Sequence, residues 1–463
     1  MSHSTAIRLL HTADWHVGRT LRGRSRADEH EATLDALVAL ADDSGAQIVV
    51  VAGDLFDTAA PTPEAERLVY RTLLRLSERD RHVLVVAGNH DHPRRLGAVS
   101  PLLELTRVTL RPLVVPPAQG GIATLDVAGT AVRVAFLPWL SHRHAVSADE
   151  LLNRDADQHN QSYLDRVRRI SGALTTGFDG GTVNLVVGHL TAVGGVVGGG
   201  ERAAHTVFDY AVPATIFPPT AGYVALGHLH RHQRIDGPAP TYYAGSPLQL
   251  DFGEGENSPG AVVVELAPGR PARPEFVPVD AARRLLTITG SLDELDLLAE
   301  AAGDAHLRVV VRERNRAGLA DDVRSRFPRA VDARIEAPEE RDRAGAGAGG
   351  TGAGGGAGGR NGVAPRRLGR GATELFAEFL AQQSIEDARL QALFARLVDE
   401  DAAEERDLDD DEPAAARSRW SDRCDLRSWS SRASPPSAGA RWSISPTPTS
   451  SPSPGPPAPG NRA

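Results

Sequence analysis

Over roughly the first 275 positions, short unbroken apolar runs alternate with stretches in which apolar residues recur every three or four positions. The runs fall at 7–11, 48–52, 83–87, 132–137, 183–188 and 223–226, with shorter ones near 241–244 and 261–266. Continuous apolar runs of this length read as strands covered on both faces. Periodic stretches at 28–41 and 64–77 read as amphipathic helices between them. The second has Thr62 placed to cap it and Pro63 at its first helical position, a strong start signal. Strands alternating with helices predict a layered α/β (α+β) domain over 1–278.

A second pattern follows over 279–340: strand at 285–289, helix at 292–302, strand at 307–312, helix at 319–327. That is a small α/β module. Residues 341–371 are dominated by Gly and Ala, cannot bury a core, and read as a tether. Helical periodicity returns over 372–402. Leu375, Phe376, Phe379 and Leu380 form one apolar stripe, and Leu390, Leu393, Phe394, Leu397 and Val398 a second. Two short helices on a leash cannot hide both stripes alone; either they pack back on the main domain or they dock another protein. Residues 403–463 begin acidic, turn Ser/Pro/Arg-rich, hold Trp420, Trp429 and Trp442 without periodicity, and read as disordered.

Composition narrows the classes. At 463 residues, with domains of about 150 residues as a guide, two to four units are expected. No apolar run reaches membrane-spanning length, and Met1 to Leu10 carries no basic-then-apolar leader pattern, so a cytoplasmic protein without a membrane partner is expected. Cys424 is the only cysteine, which excludes a disulfide framework and any cysteine-ligated metal. The net charge of −9 argues against a uniformly cationic surface, yet a local arginine patch still suffices to hold phosphates.

The chemistry sits where strands end. Five apolar runs close on a small residue and then on metal-type donors: IRLLHTADWH, IVVVAGDLFD, VLVVAGNHDHP, NLVVGHL and YVALGHLH. Because strand carboxyl ends converge on one edge of an open α/β sheet, the five sets are expected to share one site. They supply Asp14, His16, Asp54, Asn89, His189, His228 and His230. Seven nitrogen and oxygen donors exceed one tetrahedral zinc, but suit two octahedral ions bridged by a carboxylate. Two such ions neutralise the charge of a phosphoryl transition state. Glycines 53, 88, 188 and 227 suit a sharp turn before each donor. His90, next to Asn89, should stand at the rim, to stabilise the transition state or protonate a leaving group. Asp57 either orients and charges His90 or caps the following turn.

This ordered set resembles the calcineurin-like metallophosphoesterase superfamily, a β-sandwich flanked by helices. Within it, HTADWHVGR, AGDLFDTAAPTPEA, AGNHDHPRRL, GHLHRHQ and YYAGSPLQLDFGE are similar to the SbcD nuclease branch, over about 5–335 and 373–400. The resemblance implies Asp14, His16, Asp54 and His230 on one ion, and Asp54, Asn89, His189 and His228 on the other. It implies manganese as the preferred ion, with magnesium as the second candidate, and His90 as the catalytic histidine. It also implies a capping domain at 279–340 and a helix pair docking the SbcC ATPase, in a homodimer within a heterotetramer of two SbcD and two SbcC. Its substrates would be double-stranded DNA ends and hairpins, cut by ATP-dependent 3'–5' exonuclease and single-strand endonuclease action in repair, replication and recombination. Nothing in the sequence reads as a phosphate-binding loop for ATP, so SbcC would supply that function. The long glycine tract and the tail depart from the family pattern.

Arg19, Arg22, Arg24 and Arg26 follow the first donor set, and Arg94 and Arg95 the third. They either hold duplex phosphates without reading bases or form a solvated loop of charge. The glycine-rich 194–200 lacks the context of a nucleotide fingerprint; it either approaches DNA or is flexible filler. A phosphoesterase acting on nucleotides or small phosphodiesters is the first rival. A partner-binding scaffold without catalysis is the second, and the complete donor set argues against it.

Overall fold

The computed structural model describes residues 6–141, 163–201, 211–313, 316, 318–328 and 330–336. All of them belong to the first of two units, Met1–Ala346; the second is Gly347–Ala463. The tether, both apolar stripes (Leu375, Phe376, Phe379, Leu390, Leu393, Phe394 and Leu397 among them) and the tail lie outside the described residues.

The chain runs β1 (Ile7–Thr12), α1 (Ala27–Asp43), β2 (Ile48–Ala52), α2 (Pro63–Leu76), β3 (His82–Val86), α3 (Pro93–Leu103) and β4 (Val108–Arg111). It continues through β5 (Ile122–Val127), β6 (Thr130–Leu137), α4 (Tyr163–Leu174), β7 (Val183–His189), β8 (Thr191–Ala192), β9 (Ala211–Val212), β10 (Tyr223–Gly227), β11 (Gln233–Ile235) and β12 (Thr241–Tyr243). It closes with β13 (Gly260–Leu266), β14 (Arg273–Pro278), β15 (Leu285–Gly290), α5 (Leu292–Ala301), β16 (His306–Arg312), α6 (Leu319–Arg326) and β17 (Ala330–Glu336).

Two six-stranded sheets form, in orders β14-β13-β1-β2-β3-β4 and β11-β12-β10-β7-β6-β5. Strands β1 to β4 are mutually parallel, as are β6, β7, β10 and β12. The sheets face each other across a core that mixes Leu9, Val50, Leu84 and Val86 with Val134, Phe136, Leu185, Val187 and Tyr223. Helices α1, α2 and α3 cover the outer face of the first sheet, and α4 that of the second. Hence β2 is buried at all five positions, which is why its sequence, IVVVA, shows no polar alternation. Thr62 accepts from Ala65 N at 3.3 Å, capping α2 as its sequence predicts and contributing about 1 kcal/mol. None of the helices among the described residues is long and apolar enough to cross a membrane.

His11 stitches the sheets together from within. Its Nε2–H donates to the Leu226 carbonyl and its Nδ1 lies 3.1 Å from the Tyr223 hydroxyl. Burial lowers its pKa to about 3, so it stays neutral there.

β15 to β17 make a separate three-stranded parallel sheet with its own core, including Leu295, Val309, Val311, Leu319 and Phe327. Ser291 and Glu294 complete a capping box at the start of α5. This module is tied to the sandwich by Leu285 N donating to Gln249 Oε1 at 2.7 Å, and by His306 Nε2 at 2.6 Å from Glu29 Oε1.

Three of the arginines read as phosphate contacts are engaged here. Arg26 is 2% exposed, pairs with Glu29 at 2.7 Å and donates to the Gln249 carbonyl. A buried guanidinium cannot reach a duplex, so the sequence expectation for Arg26 is corrected: it is structural. Arg26→Ala is expected to destabilise the fold by about 1–3 kcal/mol, by leaving the buried Gln249 carbonyl without its donor while Glu29 keeps His306, measured as urea unfolding. Arg22 lies 3.6 Å from Asp251 and 3.4 Å from Asp332, and Arg24 donates to the Ala330 carbonyl. Both heads are exposed but face the small module.

Candidate metal centre

All five donor sets arrive where strands end: Asp14 and His16 after β1, Asp54 after β2, Asn89 and His90 after β3, His189 closing β7, His228 and His230 after β10. The carboxyl ends of strands from both stacked sheets must therefore come together for one site to form. They do, because the backbones touch there. His189 Nδ1–H donates to the Ala52 carbonyl at 2.8 Å. A Cβ on Gly227 would lie 2.0 Å from that same carbonyl oxygen. Of the four glycines read as turn-formers, only Gly53 has a positive φ, +89°. Gly88 and Gly227 are there for close approach: a Cβ at Gly88 would fall 2.0 Å from Asp54 Oδ1. Asp14, His16, Asp54 and His228 themselves adopt positive φ, a strained conformation held by the surrounding packing.

Two groups of donors result. In the first, Asp14, His16 and His230 offer atoms within 4.8 Å of one another, with His16 Nε2 and His230 Nε2 at 3.2 Å. In the second, Asn89 Oδ1 lies 3.0 Å from His189 Nε2 and 2.9 Å from His228 Nδ1. Asp54 stands between them. Its Oδ2 is 3.4 Å from His16 Nε2 and 3.5 Å from His189 Nε2. Its Oδ1 accepts from His90 N at 2.8 Å.

The donor set fits divalent cations. His189 spends its Nδ1 hydrogen on Ala52 and His230 its own on Glu254 Oε1 at 2.7 Å, so each presents Nε2 to the cluster. Two Nε2 atoms facing across 3.2 Å beside a carboxylate are reconciled by a cation between them. His16 Nδ1 is buried without a hydrogen-bond partner, its nearest carboxylate oxygen being Asp57 Oδ1 at 3.7 Å. The electrostatics show the same tension. Burial raises Asp14 to about 7 despite His189 and His230 beside it. Burial also works against a charged His189 and a charged His230, yet Asp54 and Glu254 respectively raise them to about 9. Burial would lift Asp54 too, but His189 and His90 hold it well below the carboxylate range.

A family model for calcineurin-like phosphoesterases matches residues 7–232. The SbcD chain of the SbcCD nuclease of Bacillus subtilis is 35% identical over 284 residues, 60% of this chain and 71% of that protein. The chain belongs to the SbcD nuclease family. The SbcD protein of Escherichia coli K12 is 30% identical over 302 residues, covering 62% of this chain and 72% of its own. That of Rhodobacter capsulatus is 33% identical over 339 residues, covering 70% and 78%. This SbcD-family chain is thus a hydrolase of the metal-dependent phosphoesterase class, a class that uses two divalent ions, and it brings together carboxylate and imidazole groups that could hold them.

His90 stands against the cluster, its ring edge-on to His16 with centroids 4.5 Å apart. Its Nδ1–H donates to the Asp57 main-chain carbonyl at 2.6 Å. The Asp57 backbone thus shares the orienting role that the sequence gives to its carboxylate, and the carboxylate itself lies with His90 and His16 in a group whose atoms fall within 4.8 Å of one another. The carboxylate also pairs with Arg19 at 3.0 Å. Arg95 pairs with Glu66 at 2.6 Å.

Sequence reasoning passed over several residues in this SbcD-family site. Asp91 is buried and accepts from Gly88 N, Leu55 N and Phe56 N at 2.8, 3.2 and 3.1 Å, clamping the loops that carry Asp54 and Asn89. Burial and the Asp54 charge raise it to about 7. Trp139 stacks on His228, centroids 5.0 Å apart. The run VRVAFLPW ends as the five donor strands do, but on an aromatic, so a search for donors skips it. Glu201 binds Gly198 N, Gly199 N and Gly200 N at 2.6, 2.7 and 3.1 Å and His230 N at 3.0 Å. The 198–200 glycines are thus an ordered seat beside His230, and a Cβ on Gly200 would lie 1.9 Å from Glu254 Oε1.

Proposed function

We propose that this chain is the nuclease subunit of an SbcC–SbcD-type complex, hydrolysing DNA phosphodiesters with two divalent cations, manganese preferred over magnesium. The observation that carries the reading is Asp54, whose Oδ2 lies within 3.5 Å of a histidine from each donor group. Asp14, His16, Asp54 and His230 would hold one ion; Asp54, Asn89, His189 and His228 the other. When bound, the ions supply Lewis acidity and charge neutralisation for phosphoryl transfer.

The chain's own residues do the rest. His90, anchored through Nδ1 to the Asp57 carbonyl, stabilises or protonates the departing sugar oxygen through Nε2. Arg19, with Arg22 and Arg24 on the same turn, holds backbone phosphates without reading sequence. The module of residues 279–340 caps the site, and 341–371 and 372–402, read from the sequence as tether and helix pair and lying outside the described residues, serve to dock the SbcC ATPase, which brings ATP. Two copies of each subunit, working on double-stranded ends and hairpins in repair, replication and recombination, complete the reading. The 3'–5' exonuclease and single-strand endonuclease modes belong to the assembled complex, acting on cytoplasmic DNA.

A labelled hairpin and a blunt duplex incubated with Mn²⁺, with and without the ATPase and ATP, test this. Cutting that grows with ATPase and ATP supports the reading. Brisk turnover of small phosphodiesters, indifferent to the ATPase, favours the nucleotide phosphoesterase instead.

Ion binding is expected to be linked to pH. His189 and His230, raised to about 9, must shed protons to act as donors. Mn²⁺ affinity should therefore rise from pH 6.5 towards 9 and level off above it. Calorimetry in buffers of different ionisation heat should register the released protons.

A further inference from the structure

The segment 246–257 carries the LQLDFGE motif, for which the reaction leaves no role. One side of it reaches the donor cluster. Ser246 Oγ donates to the Asp14 carbonyl at 2.8 Å, and Glu254 Oε1 accepts from His230 Nδ1 at 2.7 Å. Its other side reaches the small module. Gln249 Oε1 accepts from Leu285 N, the first residue of β15, at 2.7 Å. The Arg308 guanidinium of β16 lies 4.5 Å from the Phe252 ring.

The two sides are joined by a closed set of hydrogen bonds. Gln249 Nε2 donates to the carbonyls of Glu254 and Gly255 at 3.0 and 3.1 Å. Glu254 Oε2 accepts from Leu250 N at 2.7 Å. Gln249 is 4% exposed and Glu254 1%. Water therefore offers little substitute for either partner, and movement at one end must be taken up at the other. The Gln249 side chain bonds both the module and the Glu254 turn, and the Asp251 carboxylate supports the same link, accepting from Gly253 N at 3.2 Å and lying 3.8 Å from Arg308.

We propose that this segment couples the β15–β17 module to the centre, with Glu254 and Gln249 as positioning residues that set the ring of His230. Glu254 fixes the tautomer: with Nδ1–H given to the carboxylate, Nε2 is left as the donor atom. Gln249 holds the turn that carries Glu254 at a distance set by β15. Displacing the module shifts Glu254 and weakens the ion that His230 holds, while the ion on the Asn89 side stays. The proposal rests on the two-ion reading.

The test is Mn²⁺ calorimetry on the full chain, with unfolding followed in parallel without metal. In Glu254→Gln a single amide oxygen must serve both Leu250 N–H and His230 Nδ1–H, so one of the two ions should bind ten- to a hundredfold more weakly and the other unchanged. Gln249→Leu, which touches no donor, should weaken that same ion. If that variant fails to fold, Arg308→Met loosens the seam from the module side and takes its place. Both ions weakened equally, or neither, overturns the coupling while leaving the two-ion reading intact. Fewer than two ions on the unaltered chain overturns that reading and the coupling together.

Discussion

Asp54→Asn is expected to lower phosphodiester hydrolysis by about 10⁴-fold and to leave the protein folded with fewer than two ions. The size follows from what is lost. A charge-neutralising pair supplies several kcal/mol at the transition state, and each 1.4 kcal/mol or so is a decade in rate. The specificity follows from geometry. Asp54 Oδ1 accepts from His90 N at 2.8 Å, a bond that an asparagine oxygen can keep. Its Oδ2 faces a histidine of each donor group, and an amide nitrogen there would present hydrogens to a cation. Metal analysis after Mn²⁺ saturation, beside a duplex-cleavage assay, reads both effects. Retained activity with two ions bound would sink the role given to Asp54.

His90→Ala is expected to behave differently: a fall of about 10²- to 10⁴-fold in kcat, with both ions still bound and substrate affinity little changed. His90 is not among the seven donors, and its Nδ1 anchor is a main-chain carbonyl rather than a charged group. Removing the ring therefore takes away a proton donor without stripping the centre. A substrate whose leaving group needs no proton should recover most of the loss. Loss of an ion in this variant would instead make His90 part of the cation shell.

The fold and the donors were legible because both rest on local rules. Strands buried on both faces write unbroken apolar runs, as in β2, and donors at strand ends need only the strand to be found. What surrounds the donors was not legible in the same way. Asp91 clamps two loops by accepting backbone hydrogens from residues up to 36 positions away, a pairing no spacing announces. Glu254 meets His230 across 24 positions through a loop whose path no period encodes. Arg26 looked like its neighbours Arg22 and Arg24, since a row of arginines does not say which one the fold swallows. At Asp57 the side chain is the legible part: its carboxylate lies close to His90 and His16, while the carbonyl bond to His90 Nδ1, open to every residue type, is announced by no pattern.

The meeting of the Gly227 and Ala52 backbones has a kinetic side. Asp14 and His228 are separated by 214 positions, so an N-terminal fragment holds at most part of the donor set however well its first sheet forms. During synthesis the centre cannot exist until β10 has emerged and docked. Contacts this distant along the polymer are slow to close. Cation capture should accordingly be among the last events of refolding, and loss of either sheet should release both ions at once.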